Sequence, residues 1–74
     1  MPPLPVVSGA EVVAALVRLG FLVASQRGSH VKPRHVDGRT AIVPMHRELK
    51  RGTLASVLRQ AGTNAAELIA QLGH

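Results

Sequence analysis

The chain has no cysteine, tryptophan or tyrosine and a single phenylalanine, Phe21. Without cysteine there is neither a disulfide nor a thiolate metal site, and the chain suits a reducing cytoplasm, the compartment expected for it. Without a row of rings there is no platform for successive bases. That argues against the single-strand-binding modes of RRM, OB-fold and cold-shock domains. No apolar run approaches the ~18 residues that a membrane span needs, so no membrane partner is expected. Met1-Pro2-Pro3-Leu4-Pro5 lacks the basic start and unbroken apolar stretch of a secretory signal. Acids are scarce as well, four against nine Lys and Arg. Glu11 and Glu67 read as helix caps, Asp37 as a turn residue, and Glu48 stands alone. There is thus no acidic pair for two-metal phosphodiester chemistry, and no Walker loop or dinucleotide fingerprint is present.

What is there is basic and unevenly placed. From Arg27 to Arg59 lie eight basic residues (Arg27, Lys32, Arg34, Arg39, Arg47, Lys50, Arg51, Arg59) against Asp37 and Glu48, a net charge of +6, while the rest of the chain sums to −1. Clustering of this kind is the footprint of a polyanion partner, although a basic surface also serves solubility. At 74 residues the chain is one domain, which buries only about 60% of its unfolded surface. Residues 1–6 are expected to form an N-terminal extension, and 73–74 to fray.

Local patterns order the elements. Ser8-Gly9-Ala10-Glu11 has the form of a capping box, flanked by Val7 and Val12 as a hydrophobic staple. Val12, Val13, Leu16 and Val17 recur at helical spacing up to Gly20, predicting a helix over about 9–19. Phe21 to Ser25 reads as a short apolar strand running into polar Gln26-Arg27-Gly28. From Ser29 to His35 the pattern alternates, with Ser29, Val31, Pro33 and His35 on one face and His30, Lys32 and Arg34 on the other. Pro33 suggests an edge strand or a bulge. Asp37-Gly38 favours a tight hairpin turn, after which Thr40–Val43 reads as a strand that Pro44 ends. A helix opens at Gly52-Thr53 with Leu54, Val57, Leu58 and Ala61 on one face and stops at Gly62. Asn64 caps a last helix carrying Leu68, Ile69 and Leu72. The order α-β-β-β-α-α predicts an α+β two-layer sandwich, a three-stranded antiparallel sheet with helices on one face.

His30, Lys32 and Arg34 form the chemical constellation, about 7 Å apart along one strand face. An imidazole exchanges a proton near neutral pH, and flanking cations draw in a phosphate and offset charge that builds on it. This suits cleavage of RNA by its own 2′-hydroxyl, with His30 as base. An ordinary surface histidine among solvated cations has the same local sequence, so on these residues both readings stand. Gly28 would let a backbone approach closely. His35 faces away from His30, and His46 lies in a loop leading to Arg47, Lys50 and Arg51. Zinc needs three or four convergent ligands, and no paired-histidine motif supplies them; no metal or cofactor is expected. Lys50-Arg51-Gly52-Thr53 is either an anion-binding helix start or a routine cap.

In order and spacing, Ser8-Gly9…Glu11-Val12, Leu19-Gly20-Phe21, Arg27-Gly28-Ser29-His30, Asp37-Gly38-Arg39, Val43-Pro44-Met45-His46, Glu48-Leu49-Lys50, Gly52-Thr53-Leu54 and Arg59-Gln60-Ala61-Gly62 resemble the HicA-type (YcfA-like) toxins. The resemblance runs from Ser8 to about Leu72; the Pro-rich start and Val31 depart from it. It implies a double-stranded-RNA-binding-domain-like fold and a metal-independent mRNA-cleaving toxin restrained by a HicB-type antitoxin. It further implies His30 as the catalytic residue; around it, Arg27, Gly28, Ser29, Lys32, Arg34, His46 and Lys50 are the expected RNA contacts. The alternatives are a non-catalytic nucleic-acid-binding module of the same fold, or a toxin whose nuclease has decayed.

Overall fold

Ser8 starts the first helix as its sequence predicts. Its hydroxyl accepts from the Glu11 N–H at 3.0 Å while the Glu11 carboxylate accepts from the Ser8 N–H at 2.9 Å, so two of the otherwise unpaired first-turn donors are satisfied. Val7 and Val12, the staple pair, are both buried. In the computed structural model, which describes residues 3–72, the elements run α1 (Gly9–Arg18), β1 (Phe21–Arg27), β2 (His30–His35), β3 (Val43–Pro44), α2 (Arg51–Ala61) and α3 (Ala65–Gln71). The α+β class and the order α-β-β-β-α-α are those read from the sequence. Within the expected N-terminal extension, Leu4 packs against the core. Residues 1–2 and 73–74 lie outside the described residues.

The sheet is antiparallel with order β1-β2-β3. Phe21, Ala41 and Val43 join Val12, Ala15 and Leu16 of α1, Leu54, Val57, Leu58 and Ala61 of α2, and Leu68 of α3 in a single core. Alternation along β2 buries Val31 and Pro33 and exposes His30, Lys32 and Arg34. α1 lies against all three strands and against α3. Its first residue approaches so closely that a Cβ on Gly9 would overlap the Pro44 carbonyl oxygen and come within 2.9 Å of the Met45 Cα. The Gly9 N–H donates to the His46 carbonyl at 2.9 Å. The start of α1 is thereby clamped on the strand that pairs with His30.

Two sequence expectations for the strands need correction. Pro33 is not at an edge: it lies in β2, the central strand. The alternative expectation, a bulge, holds, because the β1–β2 register shifts between Val23 and Ser25, directly beyond the Val23–Pro33 pair. The third strand is also shorter than Thr40–Val43. Thr40 makes one bridge to Arg34, and regular pairing resumes only at Val43 and Pro44, so Pro44 belongs to the strand rather than ending it. Proline chemistry explains the gap. Ala41 N–H reaches the Pro33 carbonyl at 3.0 Å, but Pro33 has no N–H to return the second bond of that pair. The next donor, the Ile42 N–H, turns away to the Gln60 Oε1 of α2 at 2.8 Å.

The remaining differences are at turns and ends. β1 continues through Gln26 to Arg27, and of its seven residues only Phe21 is buried, because β1 is the outer strand of the sheet. The Asp37-Gly38 turn is a three-residue loop: Gly38 N–H donates to the His35 carbonyl, His35 N–H donates to the Arg39 carbonyl, and Gly38 takes φ +100° as the bulge residue. α2 begins at Arg51, with Lys50 at its N-cap, one residue before the expected Gly52-Thr53.

Candidate functional site

The turn between β1 and β2 presents the candidate residues. Arg27 pairs with His30 across Gly28-Ser29, a two-residue loop in which Gly28 has φ +54° and Ser29 does not take a positive φ. That is the pattern of a type II′ turn, with glycine at its first central position. Gly28 is thus explained by backbone conformation; a Cβ there would meet nothing within 4 Å. The far side of the turn is held by the Met45 N–H, which donates to the Ser29 carbonyl at 2.6 Å. His30 pairs in turn with Pro44 of β3.

Residues directly opposite in an antiparallel pair share a face, their Cβ atoms about 4.5–5.5 Å apart. One row is therefore Arg27–His30–Pro44, exposed at Arg27 and His30 and buried at Pro44. The next is Ser25–Lys32, extended by Ile42, which the surrounding register sets beside Lys32. These rows enclose a shallow depression of about 420 Å³ lined by Ser25, Arg27, His30, Val31, Lys32 and Ile42. His30 is exposed, and among the described residues no hydrogen bond or ion pair engages its ring, which leaves it available to a ligand. Two cations flank it, Arg27 directly opposite across the β1–β2 pair and Lys32 two residues along β2. The combination of an imidazole, a guanidinium, an ammonium and a hydroxyl on one open surface can bind a phosphodiester and move a proton beside it.

Other expected contact residues are not in this depression. Arg34 shares the face, one step further along β2, but borders a separate hollow with Leu22, Val23 and Val36. His46 is exposed two residues beyond Pro44, its carbonyl engaged by Gly9. Lys50 is the exposed N-cap of α2, whose first turn has neither a side-chain cap nor an acid. Among the described residues no group of three or more His, Cys, Asp or Glu side chains could hold a metal ion.

One member of the basic cluster is structural. Arg39 Nε donates to both Asp37 carboxylate oxygens at 3.1 and 2.9 Å, its Nη1 donates to the Ala61 carbonyl at 2.8 Å, and its guanidinium lies 5.4 Å from the centre of the Phe21 ring. It closes the C-terminal end of α2, where a cation offsets unpaired carbonyls. The hydrogen bond from the Arg39 N–H, reinforced by its guanidinium and by His35, holds the Asp37 carboxyl below its ordinary pKa of 3.8. His35 is on the covered side, edge-on to Phe21 at 5.1 Å. Sequence reading counted Arg39 with the polyanion-facing charges and placed no role on Ser25 or Ile42. Finding Ser25 requires the β1 bulge, and finding Ile42 requires the β2–β3 register, neither of which local alternation supplies.

No curated protein matches the chain. Residues 9–63 match the family model described as HicA toxin of bacterial toxin-antitoxin. The match begins at the glycine that clamps α1 on Pro44, takes in every residue of the depression, and ends before α3. It covers well over half of the 74 residues, and the chain accordingly belongs to the HicA toxin family of bacterial toxin–antitoxin systems.

Proposed function

We propose that this toxin is an endoribonuclease that cuts single-stranded mRNA in the cytoplasm by 2′-hydroxyl transesterification, without a metal ion, using His30 as general base. The observation that supports this most directly is the exposed His30 imidazole set between Arg27 and Lys32 in one depression of the open sheet face. His30 takes the proton of a ribose 2′-hydroxyl, and that oxygen attacks the adjacent phosphorus. The bond to the 5′-oxygen of the next nucleotide breaks. The products are a 2′,3′-cyclic phosphate and a 5′-hydroxyl, the latter protonated by water or by a neighbouring cationic side chain. Arg27 and Lys32 offset the charge on the crowded phosphorane. Arg34, Gly28 and Ser29 border the path of the strand, and His46 and Lys50 extend it. A HicB-type antitoxin restrains the activity by covering His30 with an acidic surface.

His30→Ala tests the chemistry. The side chain is exposed, so the variant folds, retains RNA binding through the cations, and loses both RNA cleavage and growth arrest. Full cleavage by His30→Ala overturns the mechanism. Wild-type protein that binds RNA with a steep salt dependence yet leaves it intact, with and without added magnesium, assigns the fold to a binding module instead.

A further inference from the structure

Two aliphatic residues line the depression around His30 without a part in phosphate chemistry, Val31, which is buried in the core side of the sheet, and Ile42, which is not. Ile42 is half exposed, while its neighbours Ala41 and Val43 are fully buried. It stands one strand across and one pair along from His30, a diagonal of about 7–8 Å between such positions. Its backbone is held from behind, since the Ile42 N–H donates to Gln60 of α2 where Pro33 interrupts the ladder. The side chain thus projects onto the open face from an anchored point. Isolated exposed aliphatics are common on protein surfaces. What singles out Ile42 is its company, an apolar patch beside two cations and an imidazole.

We propose that Ile42 is the base-contacting residue of this site: one unstacked base of an RNA strand lies over its side chain while the neighbouring phosphate sits among Arg27, His30 and Lys32. This deepens the reading of the site as an RNA site and rests on it. A polyanion carrying flat apolar groups at intervals is the ligand that needs both halves of such a depression. Every base has an apolar face, and contact with it is tolerant of sequence. The usual ring platform is missing here, because Phe21, the sole aromatic, is buried against His35 and Arg39. An aliphatic side chain, with the methylene stem of Lys32 beside it, takes that place. Bases in a duplex are stacked inside and cannot reach a shallow surface, so the contact selects single strands and loops.

The test couples the side chain to the base. Binding is measured by fluorescence anisotropy with the non-cleaving His30→Ala protein and a short single-stranded RNA in which an abasic ribonucleotide is placed at each position in turn. Loss of the base at one position is expected to weaken binding about three- to tenfold, as is Ile42→Ala with intact RNA. The two together should cost no more than either alone. Ile42→Phe, which supplies a larger flat surface, is expected to tighten binding; unchanged or weaker binding by that variant overturns the proposal. So do effects that multiply at every position, or an Ile42→Ala variant that weakens only a protein partner. Wild-type protein that cuts RNA while showing no coupling rejects Ile42 and leaves the nuclease reading standing. Coupled binding without cleavage does the reverse.

Discussion

Replacing Gly9 by alanine adds one carbon where α1 meets β3, and the structure sets the sign of the effect. The new Cβ would overlap the carbonyl oxygen of Pro44 and approach the Met45 Cα to 2.9 Å. These are backbone atoms, so no side chain can swing aside. Either α1 lifts from the sheet or the Pro44–Met45 segment shifts, and the 2.9 Å hydrogen bond from Gly9 to His46 is stretched in both cases. Overpacking of this kind costs about 1–3 kcal/mol, and the weakened hydrogen bond about 1 more. Relief of glycine's unfolded-state entropy returns only about 0.4–1 kcal/mol. The net expectation is a loss of about 1–3.5 kcal/mol from a domain whose size allows roughly 4–11 in total. That corresponds to a fall in melting temperature of roughly 4–28 °C. Gly52→Ala is the matched control: Gly52 lies in the first turn of α2 with open space around its Cβ position, so the same change should stabilise by about 0.4–1 kcal/mol. Thermal and urea unfolding followed by circular dichroism measure both. A Gly9→Ala protein that melts at or above the parent temperature would show that the helix–strand contact is slack, and with it the account of how Pro44 and His30 are positioned.

Two further outcomes follow from the charges. Arg27→Ala and Lys32→Ala should each weaken RNA binding and reduce the slope of log affinity against log salt by about 1, whereas Arg39→Ala, whose guanidinium is engaged by Asp37 and Ala61, should leave that slope unchanged while lowering stability; equal slopes for all three would refute the division between free and committed cations. For Asp37 the folded carboxyl is held below 3.8, first by the backbone hydrogen bond from Arg39. Its contribution is therefore fully present above that pH and disappears as pH falls through the depressed folded value. The stability gap between the parent and Asp37→Asn should accordingly narrow as the pH is taken below 3.8, read from urea midpoints, and a gap that stays constant would contradict the assignment.

What depends on neighbours in the chain was legible without coordinates. The Ser8–Glu11 box, the stop at Gly62, the Asn64 cap and the alternation that exposes His30, Lys32 and Arg34 all arise from residues within four positions of each other, where helical and strand periods act directly on local sequence. The tertiary structure decided which of these residues share one depression with His30. Arg27 and Lys32 line that depression while Arg34 borders another hollow, and the bulge after Val23 turns Ser25 toward Lys32. It decided, too, that Arg39 serves α2 at a separation of 22 residues and that Gln60 anchors Ile42 at 18. Such contacts follow from how the layers are stacked. No periodicity in the chain encodes that stacking, and so a charge that is free in the sequence can be spent in the fold.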